Sequence, residues 1–549
     1  MNIYIKCIFL LLSLKLDEIR GVPNEDAAYW RKVNDKELQR ALRHTPNKNK
    51  AKNVILFIGD GMSLPTLTAG RIFKNQRLAE KRGNEGPVGE ETPLTFETFP
   101  NVGLSRVYNT DEQIPDSAST ASAIATGVKT MYGTMGFDNS VKRGSGESQV
   151  KATKVESILK WAQDVGMDTG LVTNTRVTHA TPGAFYANTA ERNWECDSVI
   201  PVEQEGDFYD IAKQAVYNDP GRRLKLLMGG GRKAWVNNPS PSKMSKRPEN
   251  EFECSRKDNE NLIQKFLKKN EEVSGFENQK GRYIKDYAEL SKAMNEMNSY
   301  DYLLGLFSDS LMQLDSEINK RSLEREPDIV EMTEFAVKFL SKNESSNGFF
   351  LMIEGGMIDK SHHYGEANNA LQETMMLDNA IEKTLELVDT EDTLIIVTSD
   401  HGHTMSYSGY TKRGGDIRGF GGEGNDEKKY NLLSYANGIG FNNHYSVTNG
   451  KIERKTVKLE ESIKPNYIQP STIATDSEYH SGADVGIFAI GPWSHLIHSV
   501  HEQSYINTVM AYSACLGDYT KEPHCNKCNQ VSMSIMVLLF SYLMSQLLK

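Results

Sequence analysis

Four short runs of apolar residues, each ending in polar residues, constrain the fold of this chain more than any other feature. The runs lie at residues 53–59, 169–175, 348–355 and 392–401. Their length and nearly continuous apolar character are typical of strands buried on both faces of a parallel sheet. Segments with a helical pattern lie between them, at residues 151–165, 327–343 and 366–388. Strands that alternate with helices predict a doubly wound α/β fold with a mostly parallel central sheet and helices on both faces.

Side chains that bind metals follow each of these four strands. They are Asp60 after the first strand, His179 after the second, Glu354 and Asp359 after the third, and Asp400 and His401 after the fourth. Because the carboxyl ends of parallel strands form the ligand-binding edge of such a sheet, we expect these side chains to meet. One Asp-His pair after a strand is usually structural, but four strand ends of this kind indicate a metal centre.

The spacing of Asp359 and His363 also points to a metal ion. Two residues four positions apart lie on one face of a helical turn, where both side chains can bind the same cation. His480, in a glycine-containing loop before the apolar run 485–490, is a candidate for a third ligand. Carboxylate and imidazole groups without thiolate are typical of an open catalytic zinc site.

A candidate nucleophile precedes an alanine-rich segment that we predict to be a helix. Ser117 would place its hydroxyl near free N–H groups and the positive end of the helix dipole, where a phosphate is favoured. A serine at this position is more often only a helix N-cap, and Ser119 and Ser122 are rivals on sequence alone. The residues by themselves therefore leave the nucleophile open.

The charge and length of the chain narrow its function and its domain organisation. Its 63 basic and 73 acidic residues give a net charge of -10, which argues against nucleic-acid binding. Its 549 residues allow either two domains or one large α/β domain with insertions.

Both ends of the sequence are typical of processing signals. A short apolar run at residues 7–14 predicts a secretory signal over residues 1–20. The tail at 531–548 carries no charged residue, which fits either a membrane span or a lipid-anchor signal. We expect an anchor signal at 527–549 that is removed, with Asn526 as the lipid attachment residue.

The cysteines fit an exported protein. Loss of both predicted signals leaves four of them, for which we expect the disulfides Cys196–Cys254 and Cys515–Cys525. A redox or zinc role for the Cys525-Asn-Lys-Cys528 motif is disfavoured because it lacks a second ligand pair. Asn343 lies in an Asn-Glu-Ser sequon and is a candidate glycosylation site.

Taken together, seven motifs resemble those of the alkaline phosphatase family in its animal, membrane-anchored branch. They are FIGDGM at 57–62, PDSA at 115–118, THATP at 178–182, RNW at 192–194, EGGMIDKSHH at 354–363, TSDHGH at 398–403 and HSGAD at 480–484. They occur in the family's order and span nearly the whole chain.

The resemblance implies two zinc ions and one magnesium ion around a nucleophilic Ser117 that forms a phosphoserine, with Arg192 holding the phosphate. Its implied ligands are Asp359, His363 and His480 for the first zinc, Asp60, Asp400 and His401 for the second, and Asp60, Thr181 and Glu354 for magnesium. His179, Lys360 and His403 would lie in the surrounding layer. The implied substrates are small phosphomonoesters, with a broad choice of leaving group.

The resemblance also implies one large domain over residues 21–526, with a small crown-like cap inserted at about 409–478, and a homodimer. It implies a protein held by a GPI anchor on the extracellular face of the plasma membrane. Lys360 and Thr181 differ from the residues typical of vertebrate relatives, which have histidine and serine there. Ser308 stands where a glutamate of an additional calcium site is expected, so no calcium is predicted.

Three other functions fit the sequence less well. A sulfatase needs a C/S-x-P-x-R motif, which is absent after Ser117, and diesterases generally use threonine and lack the Arg192 and magnesium set. A catalytically silent surface ectodomain is disfavoured because every ligand position is intact.

Overall fold

The computed structural model describes residues 25–83, 89–237, 254–342 and 347–526. These residues form nineteen strands and sixteen α-helices. The strands β1 to β19 are, in chain order, Asn53–Gly59, Asn101–Arg106, Asp168–Arg176, Leu226–Gly230, Gly281–Ile284, Tyr302–Leu306, Phe349–Gly355, Thr393–Thr398, Gly402–His403, Met405–Tyr407, Phe420–Glu423, Lys429–Asn431, Leu433–Gly438, Tyr445–Thr448, Lys451–Arg454, Ser471–Ala474, His480–Ser481, Val485–Ile490 and Ser499–Glu502. The helices α1 to α16 are Ala27–Arg43, Leu64–Lys81, Ser117–Thr126, Gly146–Lys151, Ile158–Asp164, Ala180–Gly183, Ile211–Tyr217, Leu262–Leu267, Lys269–Glu272, Tyr287–Asn295, Ile329–Ser341, Met357–His363, Ala367–Leu387, Gly440–His444, Leu459–Ser462 and Tyr505–Ala514.

Ten strands build the central sheet, in the order β19-β2-β18-β8-β1-β7-β3-β4-β6-β5. All neighbouring pairs are parallel except those that β18 makes with β8 and β2. Among these ten strands β18 alone therefore runs against the others. The predicted mostly parallel sheet is confirmed.

The four predicted strands are β1, β3, β7 and β8, and they are neighbours at the centre of the sheet. In β1, Val54, Leu56 and Ile58 pack into one hydrophobic cluster, and Ile55 and Phe57 pack into another on the opposite face. Both faces of the strand are buried because successive side chains alternate in direction. This explains why β1 is a continuous apolar run.

The predicted helices are found with one correction. The segments 327–343 and 366–388 correspond to α11 and α13, and α11 begins with a capping box between Asp328 and Glu331. The helix predicted over 151–165 is wrong in its first half, because α4 ends at Lys151 and α5 begins only at Ile158. Between them Val155 donates its N–H to the Gly136 carbonyl at 3.0 Å, so this backbone pairs with a neighbouring segment and does not continue the helix.

A smaller structure lies between β9 and β17, outside the central sheet. We call residues 405–474 the cap. It contains the three-stranded sheet β10-β13-β16 and the hairpins β11–β12 and β14–β15. The strands on either side of the cap, β9 and β17, pair so that His403 lies opposite His480. The cap covers most of the insertion predicted at about 409–478.

The remaining expectations concern disulfides and the ends of the chain. The structure joins Cys196 to Cys254 and Cys515 to Cys525, the predicted pairing. Within the described ranges, no helix is long and apolar enough to cross a bilayer. The predicted signal at 1–20, the sequon residue Asn343 and the tail at 527–549 lie outside the described residues, and Asn526 ends the last short helical turn.

Candidate active site

The metal-type residues predicted at the four strand ends meet at one edge of the sheet. Asp60 follows β1, which lies between β7 and β8, and β3 lies on the far side of β7. The carboxylate side chains at these ends are buried, with Asp60, Glu354 and Asp400 at 0 % exposure and Asp359 at 2 %. Such a concentration of buried acids is stable only when cations or protons balance the charge.

The first cluster surrounds one oxygen of Asp359. The Nε2 atoms of His363 and His480 lie 3.4 and 3.3 Å from Asp359 Oδ1, and 3.1 Å from each other. Asp359 and His363 belong to the single short helix α12, as their spacing predicted, and His480 comes from β17. These three side chains can bind one cation together.

His403 lies closer to this cluster than the sequence suggested. Its Nε2 atom is 2.7 Å from Asp359 Oδ1, and it completes a group of four possible ligands with His363 and His480. Its Nδ1 atom contacts the carboxylate of Glu478. Although burial opposes the charge, Glu478 and Asp359 raise the pKa of His403 to about 10, so its ring favours donating protons on both sides.

Glu478 is a functional candidate that sequence reasoning missed. Its buried carboxylate contacts His403 and accepts hydrogen bonds from Thr404 N at 2.7 Å and Thr404 Oγ1 at 2.6 Å. Its main-chain oxygen accepts a hydrogen bond from His363 Nδ1 at 2.5 Å. One residue thus orients two imidazoles, and its position two residues before His480 was the only signal in the sequence.

The second cluster contains Asp60, Asp400 and His401. His401 Nε2 lies 3.4 Å from Asp60 Oδ1 and 3.3 Å from Asp400 Oδ2. Asp400 is fixed by the Gly61 N–H at 3.1 Å and by the Thr120 hydroxyl at 3.3 Å. Asp60 makes no side-chain hydrogen bond within the described ranges, which leaves both of its oxygens free to bind a cation.

The third cluster lies on the other side of Asp60. Asp60, His179 and Glu354 form a group whose ligand atoms lie within 4.8 Å of one another. Thr175 donates to Glu354 Oε2 at 3.1 Å, whereas Glu354 Oε1 has no hydrogen-bond partner among the described residues. The buried Thr181 hydroxyl and His179 Nδ1 also lack one there. His179, placed in the surrounding layer by the sequence, is therefore available as a direct ligand.

The electrostatics of the three clusters favour cations. Burial, reinforced by Asp400 and Asp359, raises the pKa of Asp60 well above its usual range. Burial also raises the pKa of Glu354, to about 7. It lowers the pKa of His363 and His401, which keeps these imidazoles neutral and able to bind a metal.

Ser117 is the first residue of α3 and faces the second cluster. Its Oγ lies 3.1 Å from His401 Nε2, and the side chain is 1 % exposed. The N-cap is Asp116, which accepts from the backbone N–H groups of Ala118 and Ser119. Ser117 is thus released from capping its own helix.

The rival serines are occupied elsewhere. The Ser119 hydroxyl donates to Asp116 Oδ1 at 2.8 Å. The Ser122 hydroxyl donates to the Ala118 carbonyl at 2.8 Å and accepts from the Gly136 N–H at 3.2 Å. Of the three, only Ser117 contacts a member of the metal-type clusters through a side-chain hydrogen bond.

Arg192, in the segment after α6, contacts both the residue that precedes Ser117 and the third cluster. Its Nη1 atom donates to Asp116 Oδ2 at 3.0 Å, and its Nη2 atom lies 3.2 Å from His179 Nε2. Burial opposes the charge of Arg192, but Asp116 and Asp60 outweigh it and raise the pKa above the usual range. The guanidinium therefore stays charged beside the serine. Lys360 adds a second cation, with Nζ 3.7 Å from Asp359 Oδ2.

Comparison with known families gives a consistent result. The family model described as "Alkaline phosphatase" matches residues 51–516. The chain is 40% identical over 507 residues to "Alkaline phosphatase" of Gadus morhua, covering 90% of this chain and 99% of that protein. It is 38% identical over 518 residues to "Alkaline phosphatase 4" of Drosophila melanogaster, covering 90% and 82%. It is 39% identical over 502 residues to the human tissue-nonspecific isozyme, covering 90% and 89%.

Solved structures show the same fold. Alkaline phosphatase from Thermus thermophilus has a TM-score of 0.59 at 18% identity and covers 87% of this chain and 94% of its own. Alkaline phosphatase from the Antarctic bacterium TAB5 has a TM-score of 0.54 at 21% identity, with 85% and 99% covered.

Proposed function

This chain belongs to the alkaline phosphatase family and is a phosphomonoesterase, and from this premise we propose that it acts through a phosphoserine formed on Ser117. The proposal includes two zinc ions and one magnesium ion. The observation that carries it is the position of the buried Ser117 hydroxyl, 3.1 Å from His401 of the second cluster, while Arg192 donates to the preceding residue, Asp116, at 3.0 Å. Small phosphomonoesters with varied leaving groups are the proposed substrates.

The residues fit the proposed metals. The first zinc would be held by Asp359, His363 and His480, and the second by Asp60, Asp400 and His401. The unpartnered oxygens of Asp60, Glu354 and Thr181 support magnesium, which prefers hard oxygen ligands. When bound, such ions neutralise charge on attacking and leaving oxygens and lower the pKa of water.

The protein's own groups account for positioning the phosphoryl group. Asp116 accepts hydrogen bonds from the N–H groups of Ala118 and Ser119, so α3 offers an anion at Ser117 the positive end of its dipole and the N–H of Ser117 itself. The Arg192 guanidinium offers a planar pair of donors that matches two phosphate oxygens. Asp116 positions both the N-terminus of α3 and the Arg192 guanidinium, because it caps the helix and accepts a hydrogen bond from Arg192 at 3.0 Å.

The proposed reaction has two displacements on phosphorus. The Ser117 oxygen forms a bond to phosphorus while the alcohol of the substrate leaves, and water then releases phosphate from the phosphoserine. The Ser117 hydroxyl gives up its proton to solvent as its oxygen attacks, and the leaving alkoxide takes one up from solvent. His401 Nε2, 3.1 Å from Ser117 Oγ, would be bound to the second zinc and does not take this proton. Arg192 holds the phosphoryl group in both steps.

Removal of the serine hydroxyl tests the proposal. Ser117→Ala should keep its fold and metal content but lose nearly all turnover of p-nitrophenyl phosphate, whereas Ser122→Ala should keep most of it. Near-normal turnover in Ser117→Ala would contradict the proposal. Chelation should abolish activity, and zinc with magnesium should restore it; activity that resists chelation would contradict the metal assignment.

We also propose a GPI-anchored protein on the outer face of the plasma membrane, attached through Asn526 and glycosylated at Asn343. The uncharged run at 531–548 and the two disulfides support export and anchoring. Phosphatidylinositol-specific phospholipase C should release it from cells. Persistent attachment would favour a membrane span.

A homodimer is part of the same proposal. No residue of α1 is buried, and the helix exposes Trp30, Leu38 and Leu42 at 46%, 54% and 68%. An exposed apolar surface of this kind suits a contact with a second copy. Light scattering of purified protein should give twice the chain mass, and a monomer mass would contradict the proposal.

A further inference from the structure

A cavity of about 250 Å³ lies within the cap. One of its wall residues, Tyr435, contacts His362 through its hydroxyl at 2.7 Å. Its walls come from β12, β13, α14, the hairpin β14–β15 and β16, and include Asn431, His444, Tyr445, Lys455, Ser471 and Thr472. Its volume is close to the lower end of small-molecule sites, about 300–1,000 Å³. None of its lining residues is a proposed metal ligand or phosphate contact.

One wall carries a buried donor without an acceptor. Asn431 is 5 % exposed, and its Oδ1 accepts from the Tyr467 hydroxyl at 3.1 Å. Its Nδ2 has no hydrogen-bond partner among the described residues. If the nitrogen and oxygen of the Asn431 amide exchanged places, the oxygen would lack a hydrogen-bond partner instead. Buried polar groups are nearly always paired, so this amide indicates a missing ligand group.

A second wall carries a free acceptor. His444 is 8 % exposed and donates from Nε2 to the Ile468 carbonyl at 2.8 Å, which places the proton on Nε2. Burial lowers the pKa of His444 and keeps the ring neutral. Its Nδ1 atom makes no hydrogen bond within the described part of the chain, so it can accept one from a ligand hydroxyl.

A cation completes the set. Lys455 Nζ donates to the Asn442 carbonyl at 2.8 Å and forms no ion pair with a carboxylate in the described ranges. Arg454, its neighbour, differs because its guanidinium is held by Asp426 at 3.0 Å. Lys429 also lines the cavity without an ion pair in the described ranges. We take Lys455, whose backbone N–H donates to the His444 carbonyl at 2.8 Å, as the ammonium that favours an anionic group beside His444.

We infer that this cavity binds one hydroxylated organic anion of the size of a single sugar ring, such as a uronic acid or a sulfated monosaccharide. Lys455 would hold the acidic group, Asn431 would donate to a ring oxygen or hydroxyl, and His444 would accept from a hydroxyl. The hydroxyls of Ser471 and Thr472 donate to the Gly438 and Ala436 carbonyls at 2.8 and 2.6 Å, so their oxygens can accept from sugar hydroxyls. The ring of Tyr445 adds the aromatic contact that a sugar uses.

Isothermal titration of the purified metal-loaded protein tests this binding. Glucuronate and glucose 6-sulfate are the probes, with glucose and inorganic sulfate as neutral and ring-free controls. We expect saturable binding of at least one probe with a Kd on the order of 1 mM. The titrations are run in saturating inorganic phosphate, which occupies the proposed phosphate site beside Arg192. Both controls should then bind at least about tenfold more weakly. No saturable binding of either probe, or equal binding of inorganic sulfate, would overturn the inference.

Three variants identify the site. Lys455→Met and Asn431→Asp should weaken probe binding at least about tenfold, the first by removing the cation and the second by adding a like charge. Lys451→Met, on the same hairpin but outside the cavity, should bind as the natural protein does. Melting temperatures check that each variant folds. Probe affinity that is unchanged in folded Lys455→Met and folded Asn431→Asp would overturn the site.

Turnover of p-nitrophenyl phosphate should be unchanged in all three variants, because they lie outside the metal centre. Loss of probe binding with normal turnover therefore separates this inference from the proposed phosphatase mechanism.

Discussion

Replacing Glu478 by alanine should weaken zinc binding at the first cluster while leaving every proposed ligand in place. The carboxylate contacts His403 Nδ1 and accepts two hydrogen bonds from Thr404. Its removal leaves three donors unsatisfied in a buried region, each at a cost of roughly 1–3 kcal/mol unless water enters. The His403 ring is then no longer held on its Nδ1 side. In the natural protein its Nε2 atom donates to Asp359 at 2.7 Å, so this hydrogen bond should weaken too.

The magnitude follows from what such outer partners contribute. Loss of a residue that orients a metal ligand typically costs about 10–100-fold in affinity. The Glu478 carboxylate acts through His403 on the ligand Asp359, so we expect the lower end of this range, about tenfold or about 1.4 kcal/mol. Glu478→Gln should have a smaller effect, because its amide oxygen can still accept from Thr404. The part of the free-energy cost of Glu478→Ala that does not weaken zinc binding should appear as a lower melting temperature of the protein.

Zinc retention against graded chelator, counted by mass spectrometry, measures this directly. Glu478→Ala should lose zinc at about tenfold lower chelator activity than the natural protein. Glu461→Ala is the matched control, because its carboxylate is 52% exposed and, among the described residues, forms an ion pair with Lys464 alone. If folded Glu478→Ala retained zinc like the control, the positioning role would be refuted.

Three further predictions concern other parts of the molecule. Arg192→Ala should lower kcat/KM by about 10²–10³-fold, and Arg192→Lys should restore only part of it because lysine lacks the planar fork; steady-state kinetics decides. Burial raises the pKa of Glu373 to about 8 from its ordinary 4.5, so the stability it contributes is complete below about pH 4.5 and is lost as the pH rises through about 8. Glu373→Gln should remove this loss of stability, which amounts to a few kcal/mol at about 1.4 kcal/mol per pKa unit. Denaturant unfolding at pH 6 and 9.5 measures it. The reasoning would be wrong if the free energy of unfolding changed equally between these pH values in the variant and in the natural protein. Replacing Cys196 and Cys254 by serine should lower stability by roughly 2–5 kcal/mol without changing turnover of the folded enzyme, and calorimetry that shows equal stability would contradict it.

The sheet was predictable because its central strands are buried on both faces. The runs that become β1, β3, β7 and β8 are apolar on both faces, so they lack the one-sided pattern of a surface helix. Strands of this kind lie at the buried centre of a parallel sheet. The helix at 151–165 was partly wrong because a distant pairing, Val155 with Gly136 at 3.0 Å, outweighs local preference. Sequence reasoning sees local preference and not such pairing.

The site residues that follow strands or share one helix were predictable from the sequence. The residues that come back to the site only after the cap were less predictable. Asp359 and His363 share one helix, so their spacing was informative. Glu478 meets His403 across 75 residues of sequence, and no local pattern relates the two. The nucleophile could be separated from its rivals only by contacts: Ser119 bonds to the N-cap residue, whereas Ser117 bonds to His401.

The most direct test of the account is to trap the covalent intermediate. Protein loaded with zinc and magnesium is incubated with inorganic phosphate, quenched in acid, digested and sequenced by mass spectrometry. We predict phosphate on Ser117 in the natural protein and none on any serine of α3 in Ser117→Ala. Phosphate on Ser119 or Ser122, or an active enzyme with no phosphorylated residue under these conditions, would contradict the assignment of Ser117.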